Sequence, residues 1–452
     1  MDKIAYFSPL NPVRSGISDY SEDLLPYLKE YYEIDVFVPN GFEIENKIIK
    51  MNFNIKTHEE FPRLYAQKEY SSVVYHMGNN YHAHKEIYEL MLQYPGIVVL
   101  HDFSLHHFYA AKTLENGNFK AYEDEMFYSH GNEGLLEVER FVKGEIPPIW
   151  ETNSLQFPLN LRVLDTAAGV IVHSRFAQKL LHEIASYVPI TVAPIPAPYI
   201  AEDIETVHRN KIDARNYLNL DPNKLIFSTL GFTNHTKRVD KILEALYDLK
   251  KEKFLEDFKF YIVGQVADNY PLEDKIRRLG LTNEVVITGF VDLQDFDRYI
   301  AASDICFNLR YPTQGENSAS LLRIMGHGKP VITTDIGSFS EFPEDIVSKV
   351  SYGKEEKEDI VNCLRKLLDF GGFDLKNQRI IDFTRNKHTI LKCVQEYNEF
   401  LNKIKMGELS NIYLPIKKVM CNYQKNSSSI LINNFDRNIN QFADSIFSLF
   451  KA

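Results

Sequence analysis

The chain alternates over most of its length between short β-branched runs and stretches of helical periodicity. The runs "KIAYFSPL", "IDVFVPN", "SVVYHMGNN", "GIVVLHD", "GVIVHS" and "ITVAPIP" come first. A second set follows: "LIFSTLGF", "KFYIVG", "EVVITGF", "DICFNLR" and "KPVITTD". A run that is apolar at nearly every position is built for burial on both faces, as parallel strands between layers of helices are. The intervening stretches, such as "SDYSEDLLPYLKEY" and "VDKILEALYDLKKEKF", repeat apolar residues every three or four positions. That is the spacing of a helix with one buried face. Parallel neighbours cannot be joined by a tight hairpin, so each pair needs a crossover, and a helix supplies it. The pattern specifies α/β units with mainly parallel sheets.

Two sets of runs in 452 residues imply two domains rather than one core. The expected division is 1–200 and 201–400, with a linker near 196–222 where proline and charge replace the strand pattern. Residues 108–160, with "GNFKAYEDEMFYSHGNEG", read as a helical insertion in the first domain. Residues 401–452 form a helical extension, whose Ile432, Phe435, Ile439, Phe442, Ile446 and Leu449 make an apolar seam. That seam suits packing on the chain's own body, or on a second copy or a partner transferase.

A formal net charge of -11 argues against a nucleic-acid reader, which needs a basic surface. Cys306, Cys363, Cys393 and Cys421 lie far apart with no metal-type spacing and read as reduced thiols. No run reaches the ~20 apolar residues of a membrane span, and the N-terminus carries no signal-peptide pattern. A cytoplasmic location is expected, with any membrane contact peripheral, at the inner face.

Ligands of open parallel sheets bind beyond the carboxyl ends of the strands, so the residues after each run are the candidates. "SPLNPVRSGISDY" places Gly16 at the mouth of a helix beginning near Ser18, where free N–H groups suit an anion or a hydroxyl. "HMGNNYH" and "HDFSLHH" bring His76, Gly78, Asn79, His101, Asp102, His106 and His107 to neighbouring strand ends. "GFTNHTKRVDKILEAL" puts Gly231 in a turn and Lys237 and Arg238 at a helix start. Cations are unfavourable there unless an anion lies between them. In "NLRYPTQGENSASLLRIMGHG", Ser318 and Ser320 can cap a helix whose N–H groups hold a phosphate. Glu316, an acceptor only, suits sugar hydroxyls. The pairing of anion site and carboxylate fits a molecule carrying both phosphate and sugar. No acidic pair is placed for a divalent ion, so neither a metal nor a cofactor is expected.

Taken together and in order, these motifs resemble the GT4-type, group 1 glycosyltransferases of the GT-B fold over roughly residues 1–400. The resemblance implies two Rossmann-like domains facing a central cleft, a nucleotide-sugar donor, retention at the anomeric carbon, and no metal. It places Gly16 in a loop facing the donor, and His101 and Asp102 at the transferred sugar. It gives Lys237 to the diphosphate; Glu316, Asn317 and Ser318 to sugar and diphosphate; and the Val286–Phe290 segment to the base; Gly231, Ala319, Phe290 and Arg238, the stand-in for a missing arginine, complete the donor-binding candidates. Three features depart from the pattern, one of them the first glutamate, which is shifted by one residue to Glu316. Phe232 stands where the family has an arginine, and Arg323 where it has a second glutamate. The implied acceptor is a saccharide, a lipid-linked glycan or a protein, in bacterial glycan or glycoprotein biosynthesis. A nucleotide-sugar epimerase and a non-catalytic subunit that holds a partner transferase are the alternatives.

Overall fold

A computed structural model describes residues 1–13, 15–369 and 373–414. The expected seam at Ile432–Leu449 lies outside them. The chain forms two compact units, Met1–Ala193 with the segment from Val394 onward, and Pro194–Cys393.

The first unit holds one parallel sheet of β1 (Asp2–Phe7), β2 (Tyr32–Val38), β3 (Asn54–Thr57), β4 (Ser72–Met77), β5 (Ile97–Leu100), β6 (Gly169–Val172) and β7 (Ile190–Val192). Their spatial order is β3-β2-β1-β4-β5-β6-β7. The order reverses between β1 and β4, which leaves the carboxyl ends of those two strands flanking a crevice. Residues between β5 and β6 form the helices His106–Ala110, Phe119–Val142 and Ile149–Thr152.

The second unit holds β8 (Leu225–Leu230), β9 (Phe258–Val263), β10 (Val285–Gly289), β11 (Ile305–Asn308), β12 (Val331–Thr334) and β13 (Ser348–Val350). Their order is β10-β9-β8-β11-β12-β13, again all parallel, with the reversal between β8 and β11. The unbroken apolar runs are explained by which face each residue serves. Phe227, Phe260, Ile262 and Phe307 pack with Val239, Ile242, Leu246 and Leu249 of the helix Val239–Lys251. Their neighbours Ile226, Tyr261, Val263 and Cys306 pack on the other face with Leu321, Leu322 and Met325 of the helix Ala319–Gly326.

Two boundaries differ from the sequence expectation. The presumed linker 196–222 contains the helix Ile204–Tyr217, capped by the Asp203 carboxylate, which accepts from the Thr206 N–H at 2.8 Å. Its Arg215 is buried and bonds Asp304 at 2.8 Å, so the charge that suggested a linker belongs to an internal ion pair. The chain also returns to the first unit earlier than residue 401. In the helix Ile390–Lys405, Tyr397 meets the Tyr20 hydroxyl at 2.9 Å and Asn398 accepts from Tyr32 at 2.9 Å. Further on, Asn411 donates to the Ala167 carbonyl and Tyr413 is fully buried.

Candidate active site

In the second unit, the loops after β8 and β11 stand on the two sides of the strand-order reversal. The β8 loop turns at Gly231, whose φ of +94° disfavours any side chain; a Cβ there would also lie 2.9 Å from the Lys237 ammonium. Lys237 is only 7% exposed. Its ammonium donates to the Leu230 carbonyl and meets no carboxylate among the described residues. Burial, with the Arg310 charge nearby, pushes its pKa down to about 7. A nearly buried cation without a counter-ion is costly unless something anionic visits it.

Across the reversal, Asn308 ends β11 and fixes the capping serines. Its side-chain oxygen accepts from Ser318 at 3.1 Å and from Ser320 at 3.4 Å, while Ser318 caps the Leu321 N–H at 3.2 Å. The helix Ala319–Gly326 therefore starts at Ala319, with Ser318 as its cap and Asn317 just before it. Glu316 lies in the same loop and is not the free carboxylate that its neighbours in the sequence suggest. One oxygen accepts from Thr313 Oγ1 at 2.7 Å and the Gln314 N–H at 2.6 Å; the other lies 3.0 Å from Arg310 Nε. Arg310 was missed in the sequence. It also reaches back across the reversal, donating to Thr236 Oγ1 at 3.0 Å, next door to Lys237.

Arg238 does not belong to this group. Its guanidinium grips both oxygens of Glu356, at 3.1 Å from Nε and 2.6 Å from Nη2, and Glu356 is fully buried. A buried carboxylate must be paired, so Arg238 is committed to holding the Val239–Lys251 helix against the Glu356–Asp369 helix. Arg323 is likewise engaged, 3.0 Å from both oxygens of Asp297. Phe232 and Phe290 follow β8 and β10, the two strands that flank β9, and are 58% and 65% exposed.

In the first unit, the expected histidine group changes membership. His106 is a core residue, bonded to the Phe157 carbonyl at 2.6 Å and to the Tyr122 hydroxyl at 2.7 Å. His107 faces Glu151 and Asn79. The third member is His173, just past β6. His76, His101 and His173 stand at the ends of adjacent strands, with ring centroids 5.2 and 4.8 Å apart, close to the spacing of the strands themselves. Hydrogen bonds fix their protons. His173 Nδ1 is 2.8 Å from the Ala193 carbonyl, which can only accept, so Nδ1 carries the hydrogen. His173 Nε2 then accepts from His101 Nδ1 at 3.2 Å, and His101 Nε2 from His76 Nδ1 at 3.0 Å. The series ends at His76 Nε2, buried without a hydrogen-bond partner among the described residues. Burial holds all three well below the usual histidine range, His173 at about 4, so all are neutral at pH 7. Both nitrogens of His101 are engaged, which leaves it no ring atom for a sugar hydroxyl in this arrangement. Asp102 accepts from the Asn79 N–H at 2.8 Å. Gly16 opens the helix Gly16–Leu28, which begins two residues ahead of Ser18 and is capped by Ser15, and a Cβ on Gly16 would touch nothing within 4 Å. Among the described residues, no group of three or more His, Cys, Asp or Glu side chains could hold a metal ion.

A model of the family described as glycosyl transferases group 1 matches residues 210–387. This stretch is a glycosyl transferases group 1 domain. The match takes in Lys237, Arg310, Glu316 and Ser318. No curated protein sequence matches the chain. Solved structures do. Sucrose-phosphate synthase from Thermosynechococcus elongatus is 13% identical, with a TM-score of 0.61 over 90% of this chain and 100% of its own. Alr3699/HepE from Anabaena, solved with UDP-glucose, is 16% identical, with a TM-score of 0.60 over 89% and 100%. A glycosyltransferase from Rickettsia africae is 14% identical, with a TM-score of 0.59 over 89% and 98%. The fold is the GT-B fold of glycosyltransferases, with two Rossmann-like parallel-sheet domains, and the chain is a glycosyltransferase. Among the described residues of this glycosyltransferase, no helix is long and apolar enough to cross a membrane.

Proposed function

We propose that this glycosyltransferase moves a sugar from a nucleoside-diphosphate sugar to a hydroxyl of a saccharide, lipid-linked glycan or protein acceptor, with retention, as GT4-type enzymes do. The observation that carries the reading is Lys237, a cation more than nine-tenths buried and without a counter-ion among the described residues, at the reversal of strand order in the group 1 domain. The capped start of the helix Ala319–Gly326 stands across that reversal and offers N–H groups to the same anion. Alr3699/HepE, of the same fold, has been solved with UDP and with UDP-glucose. Breaking the bond between the anomeric carbon and the diphosphate oxygen leaves negative charge on the diphosphate. Lys237 and the helix N–H groups stabilise that charge where it develops. The acceptor oxygen forms the new bond to the anomeric carbon, and its proton passes to the leaving diphosphate. Phe290 offers a surface on which a base stacks. A role in bacterial glycan or glycoprotein synthesis follows from the same reading.

The test is calorimetry with UDP, GDP and ADP, beside transfer assays with their sugars. Lys237→Ala is expected to weaken the cognate diphosphate about ten- to a hundredfold, the ~1.5–3 kcal/mol of one charge-assisted contact, and to slow transfer. Unchanged diphosphate affinity in that variant would remove the basis of the reading.

A further inference from the structure

We infer that Arg310 is the second cation of the donor diphosphate subsite, and that Glu316 is its built-in competitor, exchanging Arg310 for sugar hydroxyls when the diphosphate arrives. This rests on the functional reading above. The position usually given to an arginine after the β8 turn is Phe232, so the β8 loop supplies Lys237 alone. Topology brings a replacement from the opposite side. β11 is hydrogen-bonded to β8, and Arg310 follows its last residue by two positions. The Arg310 N–H is pinned to Thr334 Oγ1 at 3.0 Å, and the next residue, Tyr311, donates its N–H to the Thr236 carbonyl at 2.8 Å. The guanidinium is thus anchored to the segment that carries Lys237, and Thr236 Oγ1 receives its Nη1.

Two like charges held together need an anion, and the local carboxylate serves badly. Arg310 Nε lies 3.0 Å from Glu316 Oε1, yet its N–H is not aligned on any acceptor and stays without a hydrogen bond. Glu316 meanwhile keeps its other oxygen on Thr313 and Gln314, so the loop holds the carboxylate in place without Arg310. A diphosphate oxygen presents a stronger and better-aligned partner to a guanidinium. Its arrival releases one carboxylate oxygen, which accepts from donor hydroxyls of the sugar. The subsite is therefore sensitive to whether the diphosphate and the sugar are present together.

The test uses the full chain, with inorganic pyrophosphate and UDP as probes in calorimetry and thermal shift. Arg310→Met is expected to lower affinity for both by about ten- to a hundredfold. Arg310→Lys, which keeps the charge, recovers part of the loss. Glu316→Gln removes the competitor and raises affinity for both probes severalfold, while slowing sugar transfer. In the double variant the gain from Glu316→Gln disappears, because there is no Arg310 to release. Weaker binding in Glu316→Gln, or the same gain with and without Arg310, overturns the exchange. Loss of binding in Lys237→Ala with none in Arg310→Met overturns the role of Arg310 alone and leaves the donor-site reading standing. Indifference of both probes to all three residues overturns both.

Discussion

A single ammonium sets the strongest pH expectation. Lys237 has a pKa near 7 because burial and Arg310 disfavour its charge, and a bound diphosphate reverses that preference. Above pH 7 the unbound lysine is mostly neutral, so binding takes up a proton. Affinity for a nucleoside diphosphate is expected to fall as pH rises from about 7 to 9, and the binding enthalpy to vary with the ionisation enthalpy of the buffer. Lys237→Met should abolish the buffer dependence, and a wild-type enthalpy that is the same in every buffer would show that no proton moves. Lys237, Glu316 and Ser318 stand out in the sequence as candidates because each is an odd choice for its place: a cation at a helix start, an acid in a phosphate-type loop, a cap. Arg310 and His173 obey the same rule, since each is a polar residue just past an apolar run. They were passed over because "NLR" and "VHS" hold no glycine or acidic signal to interrupt the strand. Arg238 was misread for the opposite reason. Its partner Glu356 is remote in sequence, and only packing reveals that its charge is spoken for.

At the level of elements, the long apolar runs announced themselves, and two of the four edge strands, β3 and β13, did not. β3 reads "NIKT" and β13 reads "SKV", short and polar because each is the last strand of its sheet and has only one hydrogen-bonded neighbour. Double-sided burial, the source of the signal, is weakest there. The helix Ile204–Tyr217 was hidden by its charge for a related reason, its buried surface being small and partly polar. Where elements meet backbone to backbone, sequence periodicity is silent, and Gly326 is the clearest case. A Cβ there would sit 1.9 Å from the Tyr199 carbonyl, while the Gly326 carbonyl accepts from the Ala201 N–H at 2.8 Å. Neither chain can retreat without losing that bond. Gly326→Ala is expected to destabilise the second unit by at least the ~1–3 kcal/mol typical of overpacking, read as a lowered denaturation midpoint. Ser320→Ala, in the same helix, should shift it far less.

At the scale of the molecule, the two units are unlike in how the chain closes them. Pro194–Cys393 is one continuous segment, whereas the other unit is completed by residues from Val394 onward. The fragment 194–393 is expected to unfold cooperatively on its own and to bind a nucleoside diphosphate. A chain ending at Cys393 should keep that transition in calorimetry and lose the other. It would lack the Tyr397 hydroxyl for Tyr20, the Asn398 side chain for Tyr32, and Asn411 with Tyr413 beside Ala167 and Tyr187. Equal stability of the first unit with and without its returning segment would make those contacts ornamental. The same discontinuity gives synthesis an order of its own. A ribosome finishes the second unit before it has made the last pieces of the first. At about 5–20 residues per second, the roughly 200 intervening residues keep the N-terminal sheet waiting for ~10–40 s. The half begun first is the half completed last, and for that interval the faces later covered by Tyr397 and Tyr413 are open to whatever else in the cell binds unfinished protein.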